Sequence, residues 1–299
     1  MQKIVITGSN GLLGQTLVNL LLMEPQKYNV FGLSRGENRS ERNDFDYRSI
    51  DITNKAQLSK CLYEIRPDVI VNTAAMTQVD LCEDHKEECD LLNIDAVQYL
   101  VDISKDLGAY LVHLSTDFIF DGIQGNYKET DTPNPISYYG LSKLKAEEVL
   151  LNSSIDFSIL RTILVYGKVN NLGRNNIVLW VVDMLSQGKE INIVDDQFRM
   201  PTYVEDLAMA CKISIDKRAK GIFHISSSRL LSVFEIARTI AEVFELNKNL
   251  VKAISSDTLN QRANRPPKTG FDLTKTRKEL DFHPKTFKED LHRFKESLT

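Results

Sequence analysis

The 299-residue chain contains no apolar run approaching the roughly 20 residues that a membrane-spanning helix requires, so no membrane partner is expected. It also lacks a charge excess. With 37 basic against 41 acidic residues the net charge is −4, which gives no sign of a nucleic-acid or anionic-membrane surface. Cysteine is scarce, and Cys61, Cys82, Cys89 and Cys211 match no zinc spacing, since even Cys82 and Cys89 stand too far apart for a metal knuckle. They are expected to be reduced thiols, and no metal site is expected. His85, His113, His224, His283 and His292 are scattered and form no ligand pair; His113 and His224 fall in strand patterns and read as core residues. The single tryptophan, Trp180, falls on an apolar helical pattern and reads as packing. No internal repeat or low-complexity segment is present. The opening residues, MQKIVITG, run directly into a strand pattern, so no secretory leader is expected and the cytoplasm is the expected location.

What remains is an ordinary globular composition, 42% apolar and 26% charged, in a chain long enough to bury a sizeable core without metal or disulfide staples. Strand-like runs begin at Lys3, Asn29, Asp68, Tyr110 and Phe157, and amphipathic stretches over 12–23, 54–65, 90–107 and 137–151 separate them. This alternation predicts an α/β fold, a Rossmann-type doubly wound parallel sheet with helices on both faces and right-handed crossovers. After about Tyr166 the regularity weakens. Residues 167–176 read as loop, with helices over 178–187, 204–215, 232–244 and 287–298 and strands from Glu190 and Gly221. The expected division is a dinucleotide-binding domain over 1–166 and a smaller, mainly substrate-binding lobe over 167–299, interleaved with the sheet.

The stretch VITGSNGLLG sets Gly8, Gly11 and Gly14 between the first strand and the first helix. Glycine there permits a tight turn and lets a pyrophosphate approach the backbone, while the helix N-terminus supplies free N–H groups. The spacing is G-x-x-G-x-x-G rather than the common dinucleotide fingerprint, and the strand–turn–helix context gives it weight. At the tip of the second strand, where an acidic residue would bind the ribose of NAD, stand Ser34 and Arg35, which suit the 2′-phosphate of NADPH; NADH is the alternative. Asp51, expected to close a third strand, faces either the adenine or the next helix as its N-cap.

The run AYLVHLSTDFIFDG ends a buried strand on Ser115, Thr116 and Asp117, and the next helix opens on YYGLSKLK, with Tyr139 and Lys143 one turn apart on one face. A phenol is too weak an acid to transfer protons efficiently at neutral pH, and a neighbouring ammonium lowers its pKa. Tyr139 can then protonate a carbonyl oxygen, Lys143 can hold the nicotinamide ribose, and Thr116 can donate a hydrogen bond to the same oxygen.

These residues, with VNTAAMTQVDLCE (71–83), STDFIFDG (115–122), YKETDTPNPISYYGLSKLKAEE (127–148), RTILVYG (161–167), DDQFRMPT (195–202) and NRPPKTGFDLTK (264–275), resemble the extended short-chain dehydrogenase/reductase family. Within it the chain is most similar to reductases of nucleotide-linked 4-keto-6-deoxysugars. The resemblance implies NADPH-dependent reduction of such a sugar, with Thr116, Tyr139 and Lys143 catalytic. It adds Asn10, Leu12, Ile52, Ala74, Ala75, Asn93 and Ser115 to the cofactor set, and Asp117, Phe118, Asn176 and Arg265 to the substrate set. Nucleotide-sugar dehydratases carry a proton-moving Glu where this chain has Phe118. Three positions depart from the reductase pattern: Leu164 replaces a tryptophan, Met76 an aromatic residue, and Arg199 a glycine. Arg199 reads as a surface residue or a phosphate ligand. The alternatives are a catalytically silent regulatory subunit with the same fold and cofactor site, or a reductase or epimerase of another nucleotide sugar. A homodimer pairing helices 90–107 and 137–151 is compatible with their apolar stripes, which suit the sheet equally.

Overall fold

A computed structural model describes residues 1–171, 173, 175–259 and 261–298; positions 172 and 174 of the expected 167–176 loop lie outside the described residues. Seven strands form the central sheet: β1 (Gln2–Thr7), β2 (Tyr28–Ser34), β3 (Asp46–Ser49), β4 (Val69–Asn72), β5 (Tyr110–Thr116), β6 (Phe157–Thr162) and β7 (Gly221–Ile225). Their spatial order is β7-β6-β5-β4-β1-β2-β3, with every neighbouring pair parallel. The strand order reverses between β1 and β4, the switch point at which open α/β sheets bind ligands. This is the predicted doubly wound architecture.

The near-continuous apolar strands follow from burial on both faces. Ile4 and Ile6 of β1 pack on Leu17, Val18 and Leu21 of α1 (Leu12–Leu21) and on Leu207 and Cys211 of a helix, Val204–Lys217. Val5 points the other way, into a cluster with Leu58 and Leu62 of α2 (Lys55–Ile65) and Leu100 of α3 (Ala96–Leu107). Ala146 and Leu150 of α4 (Tyr138–Leu151) join this second cluster, whereas Leu141 and Leu151 of the same helix are exposed. A third cluster joins Val178 and Val181 of the helix Ile177–Ser186, Ile236 and Ile240 of Val233–Val243, and Phe287 and Phe294 of Phe287–Glu296.

Boundaries differ from expectation at points with physical causes. The third strand ends at Ser49, and Asn54 caps α2 by accepting from Gln57 N at 3.1 Å, so Asp51 is not the helix cap; its carboxylate instead accepts from the Thr53 amide and hydroxyl. The expected helix 90–107 is interrupted by a π-helical turn, Leu91–Asp95, before α3 begins. Trp180 faces outward, 37% exposed, rather than into the core. Short strands invisible to periodicity also occur, and one parallel pair, Gly125–Tyr127 with Thr269–Phe271, sets Thr269 behind the end of β5. No helix among the described residues is long and apolar enough to cross a membrane.

Candidate active site

At the switch point the turns after β1, β2 and β4 enclose a cleft of about 700 Å³, lined by Gly8, Asn10, Gly11, Ser34, Arg35, Asp51, Ile52, Ala74 and Ala75. All nine belong to the cofactor set drawn from the sequence. Gly8 has φ of +69°, and a Cβ there would lie 2.8 Å from Ala74 N. A Cβ on Gly14 would lie 2.3 Å from the Gly8 carbonyl oxygen. Both positions therefore require glycine, and together they leave a bare backbone cradle. Helix α1 opens on Gly11 with no side-chain cap and no acidic residue in its first turn, so its N–H groups and dipole suit a pyrophosphate. Arg35 is exposed at the rim, 3.9 Å from Asp51. The Asn10 amide braces the loop beyond β2, bonding the carbonyls of Arg35 and Glu37 and the Arg39 amide. The lining also includes Arg39, Thr53, Thr73, Met76, Gln78 and Leu92, which the sequence did not single out for the cofactor. Arg39, Thr53, Thr73, Met76 and Gln78 are marked only by their position in loops that follow strands, and Leu92 lies in the π-helical turn.

Further along the sheet edge, Thr116 ends β5 and caps a single 3₁₀ turn, Asp117–Ile119, its Oγ1 accepting from Phe118 N at 3.2 Å and donating to Asp117 Oδ1 at 3.1 Å. Helix α4 abuts this turn. Ser137 caps the helix, and a Cβ on Gly140 would fall 2.1 Å from the Phe118 carbonyl oxygen, so the helix can sit this close only with glycine there. The approach sets the Phe118 ring edge-on against Tyr139, with centroids 5.8 Å apart. Tyr139 and Lys143 share the inward face, and both are buried. Burial pulls Lys143 down to about 8, against the opposing charges of Glu147 and Cys89. Its Nζ lies 3.1 Å from His113 Nε2. Burial raises Asp117, which accepts from the Thr269 hydroxyl and faces the charge of Arg199.

The π-helical turn explains Asn93. It turns the buried amide onto the backbone of Met76, accepting from its N–H at 2.8 Å and donating to its carbonyl at 3.1 Å, and so fixes the cleft wall that carries Ala74 and Ala75. Ser115 lies beside Thr116 at the strand end with its hydroxyl buried and unpartnered. Leu12 opens α1 and packs on the third apolar cluster. Two substrate-set residues are engaged elsewhere: Asn176 caps the helix Ile177–Ser186 and donates to the Gly167 carbonyl at 2.6 Å, and the Arg265 fork holds Asp80 at 3.2 and 2.7 Å. Arg199 is not a surface residue. It is buried, its Nη1 donates to the Phe198 carbonyl at 2.7 Å, and its guanidinium lies 5.7 Å from the Phe118 ring centre. Leu164 occupies the left-handed region at φ +43°, a strained placement for a branched side chain beside the site. All four cysteines are free and buried.

The fold and these motifs have close counterparts. The chain is 32% identical over 303 residues to dTDP-4-dehydrorhamnose reductase of Aggregatibacter actinomycetemcomitans, covering 97% of each chain. It is 29% identical over 279 residues to methionine adenosyltransferase 2 subunit beta of Bos taurus, covering 92% of this chain and 81% of that one. Among solved structures, dTDP-4-dehydrorhamnose reductase from Bacillus anthracis in complex with NADP superposes with a TM-score of 0.88 at 31% identity, covering 99% of this chain and 100% of that one. The family model described as RmlD substrate binding domain matches residues 1–299. A glycine cradle at the switch point, a Tyr–Lys helix face against the end of β5 and a match over the full length place the chain in the RmlD substrate-binding domain family, within the extended short-chain dehydrogenase/reductases.

Proposed function

We propose that the protein is an NADPH-dependent reductase of the 4-keto group of a nucleotide-activated 6-deoxysugar. The reading rests on one observation above all: the Tyr139–Lys143 face abuts the Thr116 turn, and the residue between them is Phe118, which cannot move a proton. It is an NAD(P)-dependent oxidoreductase, as the reductases of its family are. The bare cradle of Gly8, Gly11 and Gly14 suits the pyrophosphate of the dinucleotide, and Ser34 and Arg35 suit a 2′-phosphate.

When bound, the nicotinamide supplies the hydride. The chain's own residues do the rest. Tyr139 gives its phenolic proton to the substrate carbonyl oxygen. Thr116 exchanges its bond to Asp117 for one to that same oxygen, holding it in line. Lys143, charged at neutral pH, stabilises the phenolate that Tyr139 leaves behind. Asp117 and Phe118 border the sugar, and Arg265, paired with Asp80, would meet the nucleotide phosphates only by exchanging that pairing. Four buried, reduced cysteines suit a reducing cytoplasm.

The test is NADPH oxidation with a dTDP-linked 4-keto-6-deoxysugar. Tyr139→Phe is expected to lose roughly 10²- to 10⁴-fold in kcat, the usual contribution of a positioned acid, with NADPH affinity retained. Thr116→Val is expected to lose less, since it removes one donor. Undiminished turnover in both variants would overturn the assignment. The similarity to a methionine adenosyltransferase regulatory subunit favours a second reading, a silent NADP-binding partner of another enzyme. Wild-type protein that binds NADPH but oxidises none with dTDP-, GDP- and UDP-linked keto sugars would establish that reading instead.

A further inference from the structure

Three buried polar side chains stand at one level of three adjacent strands at the centre of the sheet. Thr7 of β1 is in register with Asn72 of β4, and Asn72 with His113 of β5. Their side chains form an unbroken chain: Thr7 Oγ1 to Asn72 Oδ1 at 2.6 Å, Asn72 Nδ2 to His113 Nδ1 at 3.2 Å, and His113 Nε2 to Lys143 Nζ at 3.1 Å. All four residues are buried. Packing alone does not call for such a ladder, because burying polar groups costs free energy unless each finds a partner. The reduction proposed above does not use it either.

We propose that His113 is a positioning residue for Lys143, and that the Thr7–Asn72–His113 chain holds the lysine side chain in place through the tautomer of the imidazole. This assignment rests on the reading of Lys143 as part of the reductase site. Donors and acceptors along the chain must match. An ammonium only donates, so a charged Lys143 requires a bare Nε2. The ring proton then sits on Nδ1, and Asn72 must turn its oxygen toward it and its NH₂ toward Thr7. A neutral amine at Lys143 can donate in the same way or accept from Nε2–H, and in the latter case Nδ1 accepts from the Asn72 amide while Thr7 donates to Oδ1. Both arrangements share one set of heavy-atom positions, apart from exchange of the amide oxygen and nitrogen, because the Thr7 hydroxyl serves as donor or acceptor. Every other combination sets two donors or two acceptors against each other. His113 is thus the group that fits Lys143 in either state while fixing where Nζ sits. Two ammonium protons stay free for other partners.

The imidazole remains neutral throughout, since burial and the lysine charge both oppose its protonation. The titratable groups around the pair are Glu147 and Tyr139 on the same helix and Cys89 on the short helix Lys86–Asp90, and Glu147 is tied to Arg161 of β6. The chain ends on an amide and a hydroxyl inside the sheet, so it orients Lys143 and does not conduct protons to solvent.

The experiment has two parts. In ¹⁵N-histidine-labelled full-length protein, with His113 assigned by its absence in His113→Gln, the ring is expected to be the Nδ1–H tautomer at neutral pH. It should stay singly protonated as the pH is raised through about 8, where Lys143 becomes able to accept from Nε2–H as well as to donate. A ring that is Nε2–H throughout, or that becomes doubly protonated, overturns the proposal. In NADPH oxidation, His113→Leu is expected to lose about a hundredfold in kcat, as a misplaced catalytic group does, with the alkaline limb of the profile moved to lower pH and KM for the sugar little changed. His113→Gln, which keeps an acceptor within reach of Nζ, should recover most of the loss. A folded His113→Leu with wild-type kcat and pH profile overturns the proposal. If His113→Leu fails to fold, the tautomer measurement decides. Inactive wild-type protein would refute the reductase reading, whereas the ring tautomer still tests His113 alone.

Discussion

At the scale of a residue, the site depends on an atom that is missing. Gly140 lies next to Tyr139, and its lack of a Cβ lets the first turn of α4 meet the Phe118 carbonyl. Alanine would place a carbon 2.1 Å from that backbone oxygen, which no rotamer change can relieve. The helix would have to withdraw, carrying Tyr139 away from Thr116. Gly140→Ala is therefore expected to cost about 1–3 kcal/mol of stability, as overpacking does. It should also lower kcat by about a hundredfold through misplacement, while NADPH affinity, set at the far end of the cleft, stays within a factor of two or so of wild type. Urea unfolding, turnover and NADPH titration on one preparation separate these effects. A variant with normal turnover would show that the contact does not position Tyr139. Arg199 shows the opposite case. Its charge suggests a surface or phosphate-binding residue, yet it is buried against the Phe118 ring and the Pro267 carbonyl, because those partners come from segments that meet it only in the folded chain.

At the scale of an element, α4 is unusual in burying a polar face. Tyr139, Lys143 and Glu147 recur every four residues, and all three are buried. Glu147 is held by Arg161, with Nη2 to Oε2 at 2.6 Å and Nε to Oε1 at 3.0 Å. The pair also stands in the field of Lys143. Glu147→Gln would leave the Arg161 guanidinium buried without its counter-charge, and the expected loss is about 3–5 kcal/mol. Replacing both partners, Glu147→Leu with Arg161→Met, should recover most of it, because an apolar pair of similar volume needs no desolvation. Denaturant unfolding of the single and double variants measures this; a double variant no better than the single one would refute the account. The same helix marks the limit of sequence reading. The strands β1, β2, β4 and β5 and helices α1, α2 and α4 are legible because local periodicity or apolar runs encode them. The π-helical turn at Asn93 is not, since its cause is the Met76 backbone on another segment. The short pair Gly125–Tyr127 with Thr269–Phe271 is equally hidden, because two three-residue strands 144 positions apart carry no period of their own.

At the scale of the whole molecule, the glycine spacing and the Tyr-x-x-x-Lys pair could be read because each lies within one strand–turn–helix unit. What surrounds Lys143 could not, since His113, Asn72, Thr7 and Cys89 come from four other elements. That burial has a consequence for global stability. Lys143 falls from an ordinary 10.5 to about 8 because the folded interior disfavours its charge. Below pH 8 both folded and unfolded chains carry the proton, and the full penalty, about 3 kcal/mol by proton linkage, weighs on the native state. Between pH 8 and 10.5 the folded chain releases its proton first, so the unfolded state binds more protons and stability rises with pH through this window. Lys143→Met removes the charge and keeps most of the volume. It leaves the His113 ring without one partner, at a cost of about 1 kcal/mol, so the net gain at pH 7 should be about 2 kcal/mol. The gain should shrink steadily toward pH 10 as the wild-type penalty disappears, and turnover should be lost at every pH. Urea unfolding of both proteins at pH 7 and near pH 10 provides the measurement. A methionine variant that is less stable at pH 7, or whose advantage does not change with pH, would mean that the fold does not carry this cost for Lys143.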